Sequence, residues 1–392
     1  MQYTERVSRL ESEGAFVVLA KAKAMERQGK SIIHLQIGEP DFDTPANITE
    51  AAIKALRSGQ THYAPSGGIP EAREAGAQYI SKTRGIKVTP EMTIVMPGAK
   101  PFLFCALIAL INEGDEVIVP NPGYPTYRSI VKFVGAKPVP VRLREENDFR
   151  FKIDEFRSLI TPRTKMVILN SPCNPTGGVL TWEDLEAIYD VAKKNDLWIL
   201  SDEIYSRMVY EGEFKSIASV PGAMERTICI DGMSKTYAMT GWRLGFAAMP
   251  EQLAKYFFTL AINNFSSTAT FAQWGMVEAL NGPQDAVDKM VAEFRRRREV
   301  ITDGLNAIEG IKCHKPEGAF YVFPNITGTG LKSQQFADMM LEEAGVACLS
   351  GTAFGEYGEG YIRFSYANSI ENIKEALSRI KRVLAGVKAG KA

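Results

Sequence analysis

Three short polar stretches carry side chains able to do chemistry. One reads N-S-P-C-N-P-T-G-G and contains Asn174. A second reads S-D-E-I-Y and contains Asp202 and Tyr205. The third, D-G-M-S-K-T-Y-A-M-T-G-W-R-L-G-F, contains Ser234, Lys235 and Arg243. Together they offer an amine, a carboxylate, a phenol, an amide, a hydroxyl and a guanidinium, a set suited to acid–base and nucleophilic chemistry. Taken singly each is weak: a lysine in a loop is usually solvated, and Asn-Pro-Thr-Gly makes an ordinary turn. What gives them weight is that each follows an apolar run, at Lys165–Leu169, Leu197–Leu200 and Thr227–Ile230. If these runs are parallel strands, the three loops meet at one edge of a sheet, where α/β proteins bind ligands.

The elements that must position these loops are legible as a pattern. Further strand-like runs at Glu116–Val119 and Leu244–Ala248 alternate with helical stretches at Trp182–Asn195 and after Gly98. Such alternation predicts βα units and a parallel sheet. The last third changes character. Ala286–Ile308 reads as one long charged amphipathic helix, followed by apolar runs at Ala319–Phe323, Val346–Leu349 and Tyr361–Phe364 and helices at Ser333–Glu343 and Ile370–Leu384. We place a boundary at the breaker pair Gly282-Pro283. This gives an N-terminal segment 1–45 packing with the small unit, a large domain 46–282 and a small α+β domain 283–392. The tail Gly386–Ala392 is small and basic and is expected to fray. The run Arg295–Arg298 lies mid-helix; four successive residues fan around more than a turn, so a solvated, ion-paired helix is expected rather than an anion patch.

With 392 residues, 45% of them hydrophobic, the chain can bury a large core. Its 46 basic and 46 acidic residues balance, which removes any global electrostatic drive toward nucleic acid or an anionic membrane. The longest apolar stretch, Phe102–Ile111, is too short to span a bilayer. Five scattered cysteines without a C-x-x-C pair read as buried free thiols in a reducing compartment, and three scattered histidines suggest no metal site. The N-terminus shows no apolar signal region, so a cytoplasmic location is expected. The glycines at 328–333 and 355–360 lack the spacing of a nucleotide fingerprint and read as loops.

Four motifs occur together and in order: N-P-x-x-P-x-Y at 121–127, N-P-T-G at 174–177, S-D-E-x-Y at 201–205 and S-K-x-x-x-x-x-G-x-R at 234–243. With them the chain resembles the class I/II aminotransferases of pyridoxal phosphate (PLP) fold type I, nearest the bacterial Iγ aspartate aminotransferase-like group. The similarity runs from Gly38-Glu39-Pro40-Asp41 to Arg363-Phe364-Ser365-Tyr366. It implies an α/β fold whose large domain holds a mostly parallel seven-stranded sheet between helices, beside the smaller α+β domain. It also implies a homodimer with shared active sites.

On these residues the resemblance assigns roles that make physical sense. Lys235 is the implied Schiff-base lysine and proton shuttle; desolvation and the cationic Arg243 would keep its amine neutral enough to attack. Asp202 resembles the carboxylate that pairs with the pyridine nitrogen, Tyr205 and Asn174 the donors to the ring oxygen, and Tyr124 the aromatic on the ring face. The backbone N–H groups of Ala99 and Lys100, at a helix start, would cap the phosphate with Ser234 and Arg243, and Tyr63 would reach it from the other subunit. Arg363 resembles the arginine that grips the substrate α-carboxylate, assisted by Asn174 and the backbone at Gly38.

The substrate is expected to be aspartate or a related amino acid with 2-oxoglutarate, because Lys100 aligns with a lysine that contacts the distal carboxylate of an acidic substrate. The Iγ group also uses a Ser-Ala-Thr segment there. In this sequence the matching stretch is Ala15-Phe16-Val17, which leaves room for apolar or aromatic side chains. The group also commonly carries Trp where Tyr124 stands. A C–S β-lyase on the same fold, or an aromatic or broad-range aminotransferase, shares the anchoring residues.

Overall fold

The computed structural model describes residues 3–389. Its centre is a seven-stranded sheet in the spatial order Thr93–Met96, Gly245–Ala248, Thr227–Gly232, Trp198–Asp202, Thr164–Asn170, Glu116–Asn121, Lys137–Arg142. Six strands run one way; Gly245–Ala248 lies antiparallel to both of its neighbours. Successive residues face opposite sides, as strand geometry requires. Met166 and Ile168 therefore pack into the core beneath one helical layer, whereas Val167 and Leu169 enter the core on the other side.

All five expected strands of this sheet are present, each shifted by no more than two residues at either end. Two strands carried no recognisable signal. Lys137–Arg142 reads K-P-V-P-V-R; its two prolines cannot donate to a ladder, and the strand sits at the sheet edge, where that is tolerated. Thr93–Met96 is four residues long and wholly buried. The expected helix at Trp182 runs to Lys194 and starts with a capping box, in which Thr181 Oγ1 accepts from Asp184 N–H at 3.2 Å and the Asp184 carboxylate accepts from Thr181 N–H at 3.0 Å.

The C-terminal part is a three-stranded antiparallel sheet, Leu349–Ser350, Ile362–Ser365 and Tyr321–Val322, under the helices Asp285–Asn306 and Ile370–Ala389. The run expected at Val346–Leu349 is divided. Val346–Ala347 pairs in parallel with Ile33–His34, which ties the N-terminal segment to this part, and Leu349 begins the other sheet. The helix expected at Ser333–Glu343 is α-helical to Met339 and continues as a π-helical turn over Met340–Ala344. The last helix runs to Ala389, through part of the tail expected to fray; the rest of that tail lies outside the described residues.

One expectation needs correcting. The Arg295–Arg298 run is ion-paired but not uniformly solvated. Arg297 is buried and pairs with Asp41 at 2.6 Å and Glu293 at 3.0 Å; Arg298 is buried against the Tyr210 ring and pairs with Glu211 at 2.6 Å. The fan of successive side chains turns two of the four toward the core, where acidic partners offset their charge. The five cysteines are free and buried, as expected. Among the described residues no helix is long and apolar enough to cross a membrane.

Candidate active site

The sheet delivers its polar residues to one edge. The strands ending at Met96, Asn121, Asn170, Asp202 and Gly232 are followed by the segments bearing Ala99 and Lys100, Tyr124, Asn174, Tyr205, and Ser234 and Lys235. Arg243 arrives by another route: the antiparallel strand begins at Gly245, so its start lies at the edge where the others end. All these residues, with Gly38 and Arg363, line one cleft of about 470 Å³. Tyr63 is not brought to the cleft of its own chain; it is 92% exposed and borders a second hollow with His62 and Phe271.

Lys235 stands in the short helix Met233–Thr236, and its Nζ donates to the Gly38 carbonyl. Burial lowers its pKa to about 8, assisted by the positive charges of Arg363 and Arg243 and opposed by Glu39. Gly38 is needed at that approach, because a Cβ there would lie 2.1 Å from Tyr321 Oη. Asp202 is buried at the end of its strand. Its carboxylate accepts from Tyr127 Oη at 2.7 Å and from Ile204 N–H at 3.3 Å. Burial nevertheless pushes it up to about 6, with the neighbouring charges of Asp231 and Glu203 adding to the rise. Behind it, Arg84 holds those two acids in a buried cluster at 2.6 and 3.0 Å.

Arg363 is buried, with its guanidinium 4.6 Å from the Tyr321 ring centroid and 4.8 Å from that of Phe354. Its polar partners are neutral: Asn174 Oδ1 at 3.0 Å and the Gln36 carbonyl, while its Nε has no hydrogen-bond partner among the described residues. Tyr205 Oη shares a 2.8 Å hydrogen bond with Tyr321 Oη. Asn170 organises the same corner, donating to the Asp202 carbonyl at 3.0 Å and accepting from Asn174 N–H at 2.8 Å.

The cleft also contains an anion cradle. Gly98 has φ +91°, and a Cβ on it would lie 2.3 Å from Arg243 Nη2; a Cβ on Gly245 would lie 2.7 Å from Ala99 N. Strand, loop and guanidinium are thus packed as closely as glycine allows at the start of the helix Lys100–Leu110, whose dipole favours negative charge. A buried acid at one end, this cradle at the other and a lysine with a depressed pKa between them suit a ligand with a cationic ring nitrogen, an anionic phosphate and a carbonyl.

Tyr124 meets Tyr127 edge-on at 5.5 Å, and its hydroxyl donates to Glu13 at 2.9 Å. Lys100, expected to face a substrate carboxylate, lines the cleft and donates to Glu13. Of the Ala15-Phe16-Val17 stretch, Ala15 and Phe16 line the cleft. Tyr127, Asn170, Tyr321 and Glu13 were not singled out from the sequence. Tyr127 closes the N-P-x-x-P-x-Y motif and could have been found there; Glu13, 87 residues from Lys100, carries no local signal.

The sequence matches the aminotransferase class I and II family over residues 30–380. The chain belongs to that family. It is 45% identical over 359 residues to an aspartate aminotransferase of Pyrococcus abyssi, covering 91% of this chain and 92% of the relative. It is also 45% identical over 359 residues to aromatic-amino-acid aminotransferase 2 of Thermococcus litoralis, with the same coverage, 91% and 92%. The solved structure of Thermus thermophilus aspartate aminotransferase with maleate superposes with a TM-score of 0.93 at 41% identity, over 98% of this chain and 100% of that one. This aminotransferase thus has the α/β fold of a family of PLP enzymes.

Proposed function

We propose that this aminotransferase binds PLP on Lys235 and moves the amino group of aspartate or glutamate to a 2-oxo acid, with 2-oxoglutarate as one partner. One observation carries the reading: Arg363 is a buried cation held by neutral acceptors, in a cleft whose lysine has its pKa lowered to about 8. A buried guanidinium without an anion is costly, and a substrate α-carboxylate is the group that would relieve it. Glutamate and aspartate are favoured because the Lys100 ammonium, although paired with Glu13, lies in the same cleft within reach of a side-chain carboxylate. The relatives named aspartate aminotransferase agree with this, as does the maleate held by the Thermus enzyme.

When bound, PLP supplies an electron sink for charge developing at the substrate Cα. Asp202 would hold its ring nitrogen, Tyr205 and Asn174 its ring oxygen, and Tyr124 its face. Ser234, Arg243 and the backbone of Ala99 and Lys100 would hold its phosphate. Arg363, Asn174 and Gly38 would orient the amino acid. The Lys235 amine, able to be neutral near pH 8, would take the proton from Cα and deliver it to C4′ of the cofactor, the 1,3-shift that amino transfer needs. The exposed Tyr63 supports a homodimer in which each subunit completes the other's phosphate site. The buried free thiols support a cytoplasmic location.

Steady-state transamination of Asp, Ala, Phe, Tyr and Leu against 2-oxoglutarate, and of Glu against oxaloacetate, tests the function; no turnover of any donor would refute it. Purified protein should be yellow and lose that absorbance on borohydride reduction. A Lys235→Ala variant that still formed the reduced adduct would refute the anchor.

A further inference from the structure

Glu13 immediately precedes the helix Gly14–Arg27, in a segment joined to the rest of the protein on both sides. Upstream, Glu11 binds Arg128 and Lys132, each at 2.6 Å, and its N–H donates to Ser129 Oγ at 2.9 Å. Downstream, Lys21 reaches Asp338 at 3.4 Å and Glu342 at 3.2 Å in the C-terminal part. Between these attachments one oxygen of Glu13 collects three donors: Lys100 Nζ, Tyr124 Oη at 2.9 Å and Thr126 Oγ1 at 3.1 Å. Burial works against the charge, but these donors outweigh it and hold the Glu13 carboxyl below its usual range, so it is ionised at neutral pH. The Glu13 side chain retains 21% of its exposure and Lys100 44%, and both line the cleft. The pair is therefore within reach of a substrate side chain.

We propose that Glu13 is an internal carboxylate occupying Lys100, and that competition between it and the substrate side chain sets the choice between dicarboxylic and uncharged amino acids. The inference rests on the function proposed above. An uncharged side chain enters with Lys100 already neutralised, so no cation is left unpaired beneath it. A dicarboxylic substrate must displace one carboxylate to place its own. The exchange leaves Lys100 with one carboxylate, as before, and Glu13 without its cation, so the gain from Lys100 is partly offset. Specificity is a difference of affinities, and Glu13 narrows that difference in both directions. Phe16 and Ala15 give an apolar side chain a surface beside the neutralised pair.

The test uses holoenzyme and two unreactive ligands of equal length, succinate and butyrate, titrated by calorimetry into wild type, Glu13→Gln, Lys100→Ala and the double variant. Glutamine keeps the size and the acceptor toward Tyr124 and Thr126 but removes the charge. Glu13→Gln should raise the succinate-to-butyrate affinity ratio about tenfold, the scale of one charge-assisted contact. The gain should vanish in the Lys100→Ala background, and the ratio of kcat/KM for aspartate over leucine should move the same way. An unchanged or lowered ratio in Glu13→Gln would overturn the proposal. So would a gain that persists without Lys100, or failure of both wild type and Glu13→Gln to bind succinate. If wild type binds succinate yet transaminates no donor, the function proposed above fails, while the ligand ratios still decide the role of Glu13.

Discussion

Replacing Lys235 by methionine is expected to stabilise the cofactor-free protein at neutral pH. The cleft lowers the pKa of Lys235 from an ordinary 10.5 to about 8, chiefly by burial. The unfolded chain therefore holds this proton more tightly than the folded one. The cost is present in full below pH 8, where both states carry the charge, and is lost as pH rises toward 10.5. At 1.36 kcal/mol per pKa unit the burden is about 3 kcal/mol at pH 7 and about 2 kcal/mol at pH 9. Methionine fills a similar volume without charge, so Lys235→Met should be more stable than wild type by roughly these amounts, offset by the lost bond to the Gly38 carbonyl. Urea denaturation of both cofactor-free proteins at pH 7, 9 and 10 measures the gap. Every other titrating group is common to the two, so the pH dependence of the difference belongs to Lys235. A gap that does not change with pH, or a wild type more stable than the variant at pH 7, would refute the account of how the amine is activated.

Arg363→Lys should raise KM for every amino donor by about 30- to 100-fold, because an ammonium cannot reproduce the planar fork for a carboxylate; steady-state kinetics across the donor set checks it. Asp202→Asn should lower kcat by about 10²–10³, the usual scale for losing one preorganised electrostatic group, measured as single-turnover rates. Tyr127→Phe removes a donor that favours the ionised Asp202, so the pH at which Asp202 protonates should rise above about 6. The acid limb of PLP binding should shift upward by about one unit, read from absorbance titrations. Gly38→Ala would place a Cβ 2.1 Å from Tyr321 Oη, disturbing the Tyr205–Tyr321 bond and the Lys235 acceptor together. Activity should fall about tenfold or more with the fold retained, as circular dichroism and kinetics would show.

Much of this site was legible because its residues sit at strand ends, where period and punctuation are strongest. Asn174, Asp202 and Lys235 each lie just after, or at the end of, a short apolar run buried on both faces of the sheet. Arg243 was named by its motif, but its position depends on the antiparallel direction of the strand Gly245–Ala248, which no local pattern marks. The edge strand Lys137–Arg142 was hidden by its own prolines. Glu13 and Tyr321 reach the cleft through tertiary packing across long separations, and neither residue type is unusual in its local context. Arg297 and Arg298 show the converse. The sequence rightly says that four arginines cannot share one face, but which of them turn inward depends on acids as distant as Asp41 and Glu211.

The two central titrating groups are displaced in opposite senses from the values at which their charges are comfortable. Burial lowers Lys235 to about 8 and raises Asp202 to about 6. Each shift destabilises the cofactor-free fold at neutral pH, Lys235 because it is still charged there and Asp202 because it is already ionised. Neither cost is explained by packing, since both side chains could be replaced by apolar residues of similar size. A ligand with a cationic nitrogen beside Asp202 and a carbonyl able to take the Lys235 amine would remove both at once. Arg363, held by neutral acceptors, repeats the pattern for a carboxylate. Lys100 departs from it, because Glu13 already neutralises that cation. The cleft thus leaves its demands open where every amino acid is the same and satisfies one internally where amino acids differ. On electrostatic grounds, this arrangement is suited to an aminotransferase that must accept two different side chains in one site.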